Sequence, residues 1–96
     1  MDKTPSKLVG LDNYERRVED EQKINDSFSI AFTAPTGIEV LKYLRSITLE
    51  AVAGPNVEPS HLQHLEGQRY IVGLIQRRIN KGKSQQIVKD KQNERE

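Results

Sequence analysis

Two histidines, His61 and His64, stand three residues apart, with Ser60 before them and Glu58 and Glu66 on either side. On one helical turn such a pair can face a single metal. Zinc normally takes three or four protein ligands, however, and the chain has no cysteine to complete a set. Ser60 and His61 are neighbours in sequence, so on a helix they point apart, and no acid is placed to orient the imidazole. Glu19, Asp20 and Glu21 are interleaved with Arg16, Arg17 and Lys23, the mixed-sign pattern of an exposed helix. A catalytic carboxylate pair needs an apolar pocket to split its pKa values, and none surrounds this run. The six glycines are scattered and form no phosphate-cradling loop. No catalytic, cofactor-binding or metal-ligating residues are expected, and the chain reads as non-enzymatic.

The remaining charged pattern is a basic one. Residues 1–66 carry 7 basic and 11 acidic side chains, whereas residues 67–96 carry 8 basic and 3 acidic, with no acid between Gly67 and Lys89. A basic stripe fits either acidic neighbours in an assembly or a nucleic-acid backbone. Tyr70, Arg77, Arg78, Lys81 and Lys83 form the candidate partner-binding set. Tyr70 is the only aromatic among them, which argues against a stacking platform for single strands. Cations near a helix C-terminus also favour its dipole. Arg69 is expected to act inside the fold instead. It lies three residues after Glu66, and the carbonyls that end the preceding helix lack intrahelical partners for its five donors.

Composition limits what can position these residues. The chain has 96 residues, 34% hydrophobic and 30% charged, with mean hydropathy −0.73. That leaves room for one small domain, with roughly 60–70 residues able to share a core and a few kcal/mol of net stability. A homo-oligomer or multi-copy subunit is therefore expected. The absence of cysteine excludes disulfides. No apolar segment follows Met1–Lys7 as a secretory signal would require, and no run approaches the ~20 residues that cross a bilayer.

The hydrophobic periodicity predicts an all-α bundle of three helices. Residues 1–11 read as a flexible lead whose Leu8, Val9 and Leu11 dock on a partner or on the core. Asp12 or Asn13 is a candidate N-cap for a first helix over about 13–32, which Pro35 ends. Thr36 and Glu39 form a capping-box pattern that opens a second helix over about 37–53, stopped by Gly54-Pro55. Ser60 and Gln63 repeat the pattern for a third helix over about 61–81, with Gly82 as its stop and residues 83–96 as a charged tail. The helical domain is thus 12–82. Leu41, Leu44, Ile47, Leu62, Leu65, Ile71, Leu74 and Ile75 form the expected core, closed by Phe28 and Phe32. Gly67 and Gly73 each cost about 1 kcal/mol in a helix interior, so at least one of them is expected where another helix backbone comes close.

The spacing Phe28-x-x-x-Phe32-x-x-x-x-Gly37-x-x-Val40-Leu41-x-x-Leu44, with Leu65-Glu66-Gly67-Gln68-Arg69-x-x-x-Gly73-Leu74-Ile75 after a loop, resembles a family of small tailed-bacteriophage proteins encoded among head and portal genes. The likeness covers about residues 24–80. It implies a virion or morphogenesis component without catalytic activity or cofactor, found in the particle and in the host cytoplasm during assembly. Its partners would be portal or core proteins. The alternative reading is a small nucleic-acid-binding packaging or regulatory factor that uses the basic end of the third helix.

Overall fold

The computed structural model describes residues 6–94. Two short strands, β1 (Lys7–Val9) and β2 (Glu15–Arg17), precede three helices, α1 (Val18–Thr33), α2 (Pro35–Ser46) and α3 (Pro59–Glu94). The strands pair antiparallel with Leu8 opposite Arg16. The expected three-helix architecture is present, with the hairpin added at its start.

The hairpin replaces both the expected lead and the first turns of the expected first helix; residues 1–5 of that lead lie outside the described residues. Asp12 organises a turn here and does not cap a helix. Its carboxylate accepts the Tyr14 amide at 3.1 Å and the Arg16 guanidinium at 2.8 Å, while Asn13 adopts φ 72°, a conformation that asparagine tolerates well. The helix starts only at Val18, where Glu19, Asp20 and Glu21 place negative charge in its first turn. Pro35 ends α1 as expected, because Ala34 before it is extended (ψ 149°).

Pro35 also opens α2 two residues early. A proline at the first helical position loses no hydrogen bond there, so Ala34 becomes the N-cap and the Thr36–Glu39 capping box goes unused. α2 stops at Ser46, well before Gly54. The Ser46 and Thr48 hydroxyls donate to the carbonyls of Tyr43 and Leu44 at 2.6 Å each, and the backbone leaves the helix through turns at 47–51.

α3 runs 36 residues and passes straight through Gly82. The segment expected as a tail is helical to Glu94 because α1 holds it: Gln85 donates to the Gln22 carbonyl at 3.0 Å, and Lys89 pairs with Asp26 at 3.0 Å. Gly82 is buried where α1 crosses. A side chain there would meet the Asn25 carbonyl and, at 2.5 Å, the Ser29 Cβ. Gly37 is a second close approach, its absent side chain aimed at the backbone of Ala31 and Phe32. Gly67 and Gly73, where the sequence leads one to expect closeness, face open space.

The core is small. Leu41, Val72 and Ile79 form a buried cluster, with Phe28, Phe32, Leu44 and Ile75 packed partly against it, and Leu65 is buried as well. Phe28 and Phe32 stack with ring centroids 5.9 Å apart. Ile47, Leu62 and Ile71, expected inside, are exposed. Val72 and Ile79 take their place, because α3 turns a narrower stripe toward its neighbours than its apolar content suggests. The molecule measures 59 × 33 × 15 Å, and its radius of gyration of 17.2 Å compares with about 12.5 Å for a compact chain of this length. No helix among the described residues is long and apolar enough to cross a membrane.

Candidate interaction surfaces

The best-ordered polar chemistry lies inside the fold. Glu21 on α1 accepts Arg78 Nη1 from α3 and Arg16 Nη1 from β2, both at 2.5 Å, and the Leu11 amide at 3.2 Å. Arg78 also donates to Asn25 Oδ1 at 2.8 Å and lies 3.4 Å from Asp12. Asn25 passes the chain on to Gln85 at 2.9 Å. Gly10 lies flat against this cluster: a side chain there would collide with Arg16 and Glu21. Glu21, Asn25 and Arg78 are buried, and among the described residues no buried side-chain polar atom lacks a partner. Burial alone pushes the Glu21 carboxyl upward, but the bonds from Arg78, Arg16 and the Leu11 amide outweigh it and hold it below its ordinary value. The Arg16 hydrogen bond brings Asp12 down to about 2, and the same bond raises Arg16.

Arg78 therefore leaves the partner-binding set. It is 2% exposed and tied to α1 and the hairpin, since a guanidinium can leave water only against acids and carbonyl-type acceptors. The charge asymmetry along the chain carries this signal: acids of the first half meet cations of the second within the same molecule. Arg69 is the internal clamp that its position implies. Its Nε donates to the Thr48 carbonyl at 2.9 Å, Nη2 to the Ala51 carbonyl at 2.7 Å, and Nη1 to Glu66 at 2.7 Å. It fastens the turn after α2 to the first half of α3.

Tyr70, Arg77, Lys81 and Lys83 are exposed. The Arg77 guanidinium sits 5.9 Å from the Tyr70 ring centroid, and Arg77 and Lys81 share a shallow recess with Leu11, Asn80 and Ser84. At 100° per residue Lys83 projects from nearly the opposite side of α3. The expected basic stripe is thus split three ways, with Arg78 buried between its two exposed parts.

A larger groove opens between α2 and the first half of α3. Leu44, Ile47, Thr48, Ile71 and Val72 line it, together with Gln63, His64, Gly67 and Gln68. Its volume is about 610 Å³, and no carboxylate, lysine or arginine borders it. Ile47 is 48% and Ile71 54% exposed, although both are large aliphatic side chains. His64 bonds Gln68 across one turn at 3.2 Å, and among the described residues no group of three His, Cys, Asp or Glu side chains is placed to hold a metal. Comparison with family models, curated proteins and solved structures gives no match to this chain.

Proposed function

We propose that this protein is a non-enzymatic structural subunit of a tailed-phage particle, docking in several copies on the portal, the internal core or the head–tail region. The observation that carries its subunit character is the exposed apolar groove between α2 and α3. Stable domains bury the apolar stripe of each element, whereas this chain by itself leaves Ile47 and Ile71 about half exposed. The phage setting rests on the likeness of Phe28, Phe32, Gly37, Leu41, Leu44 and the Glu66–Arg69 step to the small head-gene proteins. The clamp at Arg69 and the close packing at Gly37 give two of those positions a physical reason to be as they are.

The nucleic-acid reading has less support. Arg69, Arg78 and Lys89 are engaged within the fold, which leaves, among the described residues of α3, Arg77 and Lys81 on one side, Lys83 on the other and Lys91 in the last turn. Two measurements test the proposal together. Mass spectrometry of purified particles should find the chain, and its binding to duplex DNA should vanish at physiological salt. Submicromolar, sequence-dependent DNA binding at that salt, with the chain missing from particles, supports the packaging or regulatory factor instead.

A further inference from the structure

We infer that the hollow where the hairpin meets the second half of α3 receives an acidic segment of a partner protein, its carboxylates on Arg77 and Lys81 and its aliphatic side chains against Leu11 and Val88. The inference deepens the subunit reading by naming the partner's chemistry, and it rests on that reading for biological setting only.

Charge matching within the chain singles out Arg77. Among the described residues every other arginine lies within 3.7 Å of a carboxylate. Arg77 makes no ion pair and donates no hydrogen bond to another described residue. The Tyr70 ring, 5.9 Å from its guanidinium, restrains the group by its face and leaves the N–H edge to an outside acceptor. The neighbouring buried cluster does not cancel this charge. Asp12 and Glu21 are matched there by Arg16 and Arg78, two acids against two bases. Lys81 follows Arg77 by one turn, and both are exposed. Two positive charges therefore face the recess of about 250 Å³ that they share with Leu11, Asn80 and Ser84, and no acid borders it.

The recess adjoins an aliphatic hollow. Leu11, Lys81 and Ser84 border both the recess and a cleft of about 460 Å³ under the hairpin. Leu8, Val9, Val18 and Val88 line that cleft, and Glu21 at its floor is already engaged by Arg16 and Arg78. Val9 and Val88 are more than half exposed. A pair of cations beside an aliphatic wall is complementary to carboxylates carried next to aliphatic side chains, and a guanidinium matches a carboxylate in shape as well as charge. It is a poor match to duplex nucleic acid, whose tight binders neutralise about 6–10 phosphates; Lys83 points away from the recess and adds nothing to it.

The test titrates the full chain with a blocked peptide of alternating Leu and Glu, followed by amide and methyl NMR shifts. The same peptide with Gln for Glu, decanoate and duplex DNA are titrated in parallel. Shifts from the acidic peptide should centre on Leu11, Arg77, Lys81 and Val88. Arg77→Gln with Lys81→Gln should weaken binding at least about tenfold. Lys83→Gln with Lys91→Gln removes the same charge from α3 outside both hollows and should change it less than about twofold. Val88→Asn should weaken it severalfold. All these positions are exposed, and circular dichroism confirms that each variant keeps its helices. No binding, equal loss in the two double variants, an unaffected Val88→Asn, or equal binding of the Gln peptide overturns the inference. Decanoate or duplex DNA held at this site more tightly than the peptide at physiological salt also overturns it, in favour of a lipid or a nucleic acid. A chain present in particles that ignores the acidic peptide keeps the subunit reading and loses this inference. Site-specific peptide binding by a chain missing from particles does the reverse.

Discussion

Arg78 and Glu21, 57 positions apart in sequence, meet at 2.5 Å with both side chains almost wholly removed from water. This contact, together with Arg16 and Asp12, joins three elements: the hairpin, α1 and the second half of α3. It sets their register. A shift of α3 by one residue would rotate Arg78 by about 100° and leave Glu21 buried without its partner.

Arg78→Met should therefore cost about 3–5 kcal/mol, the penalty for removing one member of a buried pair. In a domain this small that approaches the entire stability. Arg78→Lys should recover only part of it, since one ammonium cannot reach Glu21, Asn25 and Asp12 together. Urea denaturation measures both, and a loss below about 1 kcal/mol for Arg78→Met would contradict the network's structural role.

The same cluster sets an acid limit. Asp12, at about 2, and Glu21 both have folded-state values below their ordinary ones. A depressed carboxylate contributes stability that is complete above its unfolded value, about 4, and is lost as pH falls through the folded value. Between about pH 4 and pH 2 the hairpin should loosen, and the Leu11 amide, which donates to Glu21, should lose hydrogen-exchange protection. Protection that persists unchanged to pH 2 would refute this.

Much of the architecture is legible in the chain because it rests on local signals. Pro35 breaking the first two helices apart, the α2 stripe through Leu41 and Leu44, and Arg69 reaching the carbonyls beyond α2 all follow from residues within a turn or a loop of one another. What is not legible depends on distant pairing. Arg78 looks exposed until Glu21 and Asp12 are brought to it, and Gly82 looks like a helix stop until α1 crosses there. The segment from Lys83 onward reads as a tail until Asp26 and Gln22 hold Lys89 and Gln85. The hairpin leaves no trace in the hydrophobic pattern because strands of three residues are too short to show an alternation. The groove at Ile47 and Ile71 reads as core, since periodicity marks an apolar face without saying which molecule covers it.

Arg69→Ala should lower stability by roughly 2–4 kcal/mol, because it frees the Thr48 and Ala51 carbonyls that accept charged donors. Replacing Arg77, Lys81 and Lys83 together by Gln should shift the melting temperature by no more than a degree or two, as surface changes do. Thermal melts of the two variants side by side decide the matter, and equal losses would mean that Arg69 does not clamp the turn.

The glycines should divide by position. Gly73→Ala should raise stability by up to about 1 kcal/mol, because α3 is open there. Gly82→Ala and Gly37→Ala should lower it, since each places a methyl group against backbone of α1. Stabilisation by Gly82→Ala would show that α1 does not cross α3 at this point.

A multi-copy particle subunit that acts through its surface must be found in the particle, and absolute quantitative mass spectrometry of purified phage reads this without intermediates. The chain should be present at several copies per portal and should survive high-salt washing, as an apolar contact would. Its absence from intact particles, with abundant chain in the infected-cell lysate, would contradict a structural role in the virion.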